Sequence, residues 1–176
     1  NGDAAIPGAI AGGLDLDVES LIFRYAGAHD DTLTDLSFSA KAGQTVGVFG
    51  PTGSGKTTLL NLLARIYEPP KGAVRIADQD VRTYDVDDYW NRVAIVSQEA
   101  FLFSTSVSDN IALAEGSNDA NMERIRVAAQ DAQLTEDLKV LPEGLDTRVG
   151  ERGITLSGGQ RQRTALARAF FRDFDL

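Results

Sequence analysis

The stretch GPTGSGKTTLL, Gly50 to Leu60, places three glycines and a lysine ahead of a leucine-rich run. Gly50, Gly55, Lys56 and Thr57 fit the spacing G-x-x-x-x-G-K-[ST], the Walker A pattern of a P-loop. The context agrees with the motif. Thr45 to Phe49 is rich in β-formers and ends at Gly50, while Leu59, Leu60, Leu62, Leu63 and Ile66 are apolar on more than one helical face. A strand, a glycine loop and a buried helix are therefore expected in that order. Glycines let backbone N–H groups turn inward around phosphate oxygens, and the N-terminus of the following helix adds partial positive charge. Lys56 is placed to reach the outer phosphates, and the Thr57 hydroxyl to ligate a Mg²⁺ bridging them.

Working outward, "LDLDVESLIFRY" alternates at Leu14, Leu16 and Val18 and reads as a strand, with a second expected over Leu36 to Ala40. "EPPKG" at 68–72 closes the helix after the loop, "AVRIADQDV" reads as a strand entering an acidic turn, and Val93 to Ser97 reads as another buried strand. From Ser106 to about Val140 the pattern is helical and polar, with Asn118 or Asp119 available as a cap. "LPEGLDTRVGERG" is a loop by its glycines, and "LSGGQRQRTALARAFF" opens as a glycine turn and continues as a helix bearing Ala165, Leu166, Ala169 and Phe170. Asp78, Asp80, Asp85, Asp87 and Asp88 suit turns and a helix start. No internal repeat is found.

Composition bounds the function. The chain has 176 residues, 43% of them apolar, which suits one ordinary core. With 17 basic against 26 acidic residues and a net charge of −9, general binding to nucleic acid or anionic lipid is disfavoured. The absence of cysteine rules out disulfides and thiolate metal sites. No run of about eighteen apolar residues suits a membrane span. Residues 1–13, Pro- and Gly-punctuated, are expected to be a linker. The first residue, Asn1, suggests a piece of a longer protein.

At "LSGGQ", 156–160, Ser157 suits a helix cap, and Gly158 and Gly159 expose the first N–H groups to an anion. Alone, this is equally an ordinary helix start. Together, "GPTGSGKTT" and "LSGGQRQR" resemble the nucleotide-binding domain of ATP-binding cassette proteins, from about Leu14 onward. The resemblance implies an α/β P-loop NTPase core over 14–176, with an antiparallel β subdomain and a helical subdomain at about 99–157. It implies ATP and Mg²⁺ as cofactors, held by Gly50, Pro51, Thr52, Gly53, Ser54, Gly55, Lys56, Thr57 and Thr58. Two such domains meet head to tail in that family, so Ser157, Gly158, Gly159 and Gln160 would contact ATP held by a second nucleotide-binding domain.

Three further positions match the family. Tyr25 falls where an aromatic stacks on adenine, the bland alternative being a strand aromatic in the core. Gln98 falls where a glutamine approaches Mg²⁺ and the attacking water, so Lys56 and Gln98 are the catalytic candidates, and Thr57 and Gln98 the metal candidates. "TRVGERG", 147–153, resembles the loop that marks exporters, although Arg148 stands where an acidic residue is usual. Phe101, Leu102 and Phe103 either pack against a coupling helix of a transmembrane domain or fill the helical subdomain.

The expected function is the ATPase motor of an exporter at the cytoplasmic face of the cell membrane. The alternatives are a regulatory half of an asymmetric transporter and a soluble cassette protein acting on ribosomes or DNA. In the family, the strand carrying the second metal-binding acid, the catalytic glutamate and the switch histidine follow the signature helix, and this chain reaches "FFRDFDL" where that strand begins. The expectation is therefore a part of a longer cassette that binds nucleotide and, by itself, neither completes hydrolysis nor keeps its central sheet paired. His29, the single histidine, lies in a loop before Gly50 and is no switch.

Overall fold

The computed structural model describes residues 4–6, 13–113, 115–118, 121–150, 156–172 and 174–176. The chain divides into two compact units, one of residues 1–94 with 175–176 and one of residues 95–174.

The first unit is built on an antiparallel sheet of β1 (Leu16–Phe23), β2 (Leu33–Ala40), β3 (Val74–Ile76) and β4 (Gln79–Asp80), in the order β2-β1-β3-β4. The alternation seen in sequence sets its face, since Leu14, Leu16 and Val18 are buried. Val18 pairs with Phe38 and Leu21 with Leu36, then Phe23 with Leu33. Each strand thus carries one extra residue, and the register is restored after a pair of opposed bulges at Ser20 and Asp35, both at positive φ. β3 and β4 are joined by Ala77 and Asp78, both left-handed (φ 49° and 63°), the form a two-residue hairpin takes. Residues 4–6 also pack here: Ala4 bridges to Tyr84, and the Ile6 amide donates to Asp88 Oδ2 at 2.7 Å.

Helices α1 (Lys56–Leu63) and α2 (Val86–Arg92) cover the sheet through Leu59, Leu62 and Tyr89. Asp85 caps α2, its carboxylate accepting from the amides of Asp87 and Asp88 at 3.0 Å. α1 stops at a Schellman motif: the Ile66 amide donates to Asn61 O at 2.9 Å and the Arg65 amide to Leu62 O at 3.1 Å, with Arg65 left-handed at φ 52°. A left-handed arginine costs about 1–2 kcal/mol. Contacts of its side chain act against that cost: the guanidinium lies 5.3 Å from the Tyr89 ring and donates to Tyr84 O at 2.9 Å. The free carbonyls at the end of α1 are taken by α2, through the Tyr89 hydroxyl on Leu63 O and the Trp90 indole on Ala64 O.

Four expectations are corrected. The strand expected at Thr45 to Phe49 is absent: residues 44–50 form no regular element and are exposed, with Phe49 at 94%. Val93 to Ser97 is likewise not a strand. β-propensity sets a tendency, but a strand exists only with a ladder partner, and none of the described residues makes one with either segment. Near the second, Ala94 donates to Leu176 O at 2.8 Å and Asp175 to Arg92 O at 2.8 Å without extending into a ladder. α1 is also buried on one face only, with Leu60 and Ile66 about half exposed, and it ends before "EPPKG". The second strand begins earlier than expected, at Leu33.

The second unit is helical: α3 (Val107–Ile111), α4 (Met122–Asp131), α5 (Thr135–Val140) and α6 (Gly158–Phe171). α6 packs on α3 and α4 around Leu102, Ile111, Ile125, Ala128, Ala167 and Phe171. The cap of α4 is Asn121 and not Asn118, which accepts the amides of Asn121 and Met122 in the turn before it, and Asp119 lies outside the described residues. The loop 141–150 holds a 3-10 turn at Gly144–Asp146, and Val149 pairs to Thr105 at 2.8 Å. Glu151 to Gly153 of "TRVGERG" lie outside the described residues.

Candidate nucleotide site

Gly53 and Gly55 adopt φ of 83° and 87°, so the chain from Gly50 curls before α1 starts at Lys56. Gly55 is the residue that only glycine fits. A Cβ there would stand 2.6 Å from Leu33 Cδ2 and 2.9 Å from Thr32 O. One at Gly50 would meet Ser54 Oγ at 2.6 Å. No side chain caps α1, which leaves the donors of its first turn to a ligand or water. The Lys56 ammonium folds across the loop and donates to Gly50 O at 2.8 Å and Pro51 O at 2.7 Å. A cavity of about 340 Å³ opens beside it, bordered by Leu33, Val48, Gly50, Pro51, Ser54 and Lys56. Uncapped N–H groups and a lysine on one concave surface make an anion site.

Thr57 is exposed, next to Lys56, while Thr58 is buried and its hydroxyl lies 2.9 Å from the Tyr25 hydroxyl. Tyr25, half-buried, is thereby tied to the phosphate-loop helix. Its ring meets Phe23 at 5.1 Å and Tyr67 at 5.3 Å, both at 84°. Pro51 and Thr52 are exposed on the loop. Nucleotide fits this surface: bare backbone is sterically required at Gly55, and the cation faces the curl. Among the described residues no group of three or more His, Cys, Asp or Glu could hold a metal ion. The exposed Thr57 hydroxyl beside Lys56 is a single oxygen donor, of the kind Mg²⁺ takes from a protein when phosphates and water supply its other ligands.

The second unit holds the remaining candidates. Ser157 caps α6, with its hydroxyl accepting from the Gln160 amide at 3.2 Å while Gln160 Oε1 accepts from the Ser157 amide at 2.9 Å. This is a capping box, and the spacing S-x-x-Q announces it in the sequence, although the reading above used Ser157 alone. Gly158 and Gly159 are exposed. Gly159 is backed by Arg163, which Asp137 holds through Nε at 2.6 Å. Gln98 is exposed in a bend.

Phe101, Leu102 and Phe103 separate. Leu102 is fully buried, whereas Phe101 and Phe103 are 56% and 44% exposed, edge to face at 5.0 Å. Two residues that the sequence reading did not single out hold them. Buried Asn110 accepts the Phe103 amide at 2.8 Å and donates to Phe103 O at 2.9 Å. Arg168 donates to Phe101 O at 3.1 Å and to Asn110 O at 2.7 Å, and its burial lowers its pKa from the ordinary arginine range. A polar residue four places after an N-cap, as Asn110 is after Ser106, carries no sequence signal for such a role.

The ABC transporter family model matches residues 33–176. The chain is 45% identical over 161 residues to an ATP-dependent lipid A-core flippase of Pseudomonas fluorescens, covering 92% of this chain and 27% of that protein. It is 44% identical over 167 residues to a multidrug efflux ATP-binding/permease protein of Mycobacterium bovis, covering 95% of this chain and 14% of that protein. The chain thus spans about a quarter or less of the length of these curated relatives. Among solved structures it is similar to a bacterial Atm1-family ABC exporter with ATP bound, at 33% identity and a TM-score of 0.81, covering 97% of this chain and 30% of that one.

Proposed function

The chain belongs to the ABC transporter family, and from that membership we propose that it is the nucleotide-binding motor of a membrane exporter, with Mg·ATP held at its phosphate loop. The loop Gly50, Pro51, Thr52, Gly53, Ser54 and Gly55 surrounds the phosphates, every residue but Pro51 offering a backbone N–H group, and the amides of Lys56, Thr57 and Thr58 extend that surface onto α1. Lys56 exchanges its two loop carbonyls for the outer phosphate oxygens. The Thr57 hydroxyl holds Mg²⁺, which neutralises charge on those phosphates when bound. Tyr25 stacks on the adenine. Gln98 would offer its amide to the metal and the attacking water, and hydrolysis would be a property of the assembled transporter.

The observation that carries this reading is the uncapped start of α1, with a left-handed Gly55 and the Lys56 ammonium over the loop. Exposure of Ser157, Gly158 and Gly159 supports their contact with ATP on a second, head-to-tail nucleotide-binding domain. Phe101 and Phe103, held outward by Asn110 and Arg168, support docking to the coupling helices of a transmembrane domain. The names of the relatives, a flippase and an efflux permease, support a place at a membrane, and the cytoplasmic face is the side we propose. No helix of the described residues is long and apolar enough to cross a membrane.

The test is calorimetric titration of Mg·ATP into the chain and into Lys56→Ala. Loss of a charge-assisted contact of about 3 kcal/mol weakens binding roughly 100-fold. Unchanged affinity in the variant contradicts the proposal.

A further inference from the structure

Tyr25 lies just beyond the last residue of β1, Phe23, where the chain enters an exposed turn closed by the Ala28 amide on Tyr25 O at 3.0 Å. Sheet hydrogen bonds therefore stop short of it. What holds its side chain is the Thr58 hydroxyl at one end and two aromatic rings beside it. Phe23 belongs to the wall of the core and is accounted for by packing.

Tyr67 is not. It is 43% exposed, and it arrives beside Tyr25 only because the left-handed Arg65 turns the chain back at the end of α1, with the Tyr67 amide donating to Asn61 O at 3.3 Å. Its ring meets Tyr25 at 84° and lies 6.2 Å from Phe23 at 45°. Edge-to-face pairs of this kind fix ring orientation. Neither neighbour stacks in parallel on Tyr25, the position a planar base requires. The helix that presents Lys56 at its start thus delivers, just beyond its end, a ring that orients the base-stacking tyrosine.

We propose that Tyr67 is a positioning residue for nucleobase recognition, fixing the plane of the Tyr25 ring; this rests on the reading of Tyr25 as the adenine-stacking residue. Tyr67 acts on the base and not on the phosphates, because its contacts are to Tyr25 and Phe23.

The experiment compares two ligands by calorimetry, Mg·ATP and Mg-tripolyphosphate, on the wild-type chain and on Tyr67→Ala, Tyr67→Leu and Tyr67→Phe. Leucine keeps apolar bulk without a ring, so it separates orientation from loss of cover. The expected result is ATP weakened about three- to tenfold in the alanine and leucine variants, the range one aromatic pair supplies, with tripolyphosphate unchanged within about twofold and both ligands restored in Tyr67→Phe. Equal weakening of both ligands, or no change for ATP, overturns the proposal. Wild-type binding of ATP no tighter than of tripolyphosphate overturns the role of Tyr25 on which it stands. Binding of neither ligand by the wild type overturns the phosphate-loop reading itself.

Discussion

The two glycine turns of this chain open helices in opposite ways. At Gly50–Gly55 the turn ends in a left-handed glycine, no side chain caps α1, and the nearby ammonium is satisfied by loop carbonyls. At Leu156–Gln160 the turn is closed by its own residues, since Ser157 and Gln160 take each other's amides. The first arrangement leaves its donors for something else to fill, while the second satisfies two of its donors, the Ser157 and Gln160 amides, from within. The difference teaches which turn declares a ligand by its form: the phosphate loop does so alone, and the signature turn does so only beside it.

Alanine scanning of the glycines sharpens the contrast. Gly55→Ala puts a Cβ at left-handed φ against Leu33 Cδ2 and Thr32 O, and should lower stability by about 3 kcal/mol in urea unfolding. Gly158→Ala, whose nearest neighbour is an Arg161 nitrogen at 4.0 Å, should change it by less than about 0.5 kcal/mol. Equal costs would erase the comparison.

Ser157→Ala tests the self-sufficiency of the second turn. Removing the hydroxyl should cost about 1 kcal/mol, read as a lower urea midpoint, because the Gln160 amide loses its acceptor. A neutral result would mean that the box contributes nothing and that the turn is as open as the first.

The smallest effect is one of pH and lies in the second unit, at Asp109. The Ser117 hydroxyl first, donating to the carboxylate, and then Ser106 beside it, hold the carboxyl below the ordinary aspartate value. A lowered folded pKa contributes stability that is present above the unfolded value, near about 3.9, and lost as pH falls through the folded one. Asp109→Asn should therefore narrow the difference in stability between neutral pH and the acid limb, with thermal melts across that range as the measurement. An unaltered acid limb would remove Asp109 from the account.

Much of the first turn was legible in the sequence because glycine spacing encodes backbone shape directly. Leu14, Leu16 and Val18 likewise declared β1, since alternation is local. Thr45 to Phe49 misled because its β-branched and aromatic residues report a preference, whereas a strand is a relation between two segments. Tyr67 was silent for another reason. Its place depends on a left-handed residue at the end of α1 that is arginine and not the glycine a Schellman motif usually shows. In the second unit, "LSGGQ" was legible as a helix start, but Asn110 and Arg168 act through contacts far apart in sequence.

The most direct measurement is a ¹⁵N–¹H correlation spectrum of the chain during addition of Mg·ATP. The account predicts that the largest shifts fall on the amides of Gly53 through Thr58, with those of Ser157 through Gln160 little moved while the chain is dilute. Shifts concentrated at Ser157 through Gln160, with the Gly53 to Thr58 amides unmoved, would contradict it.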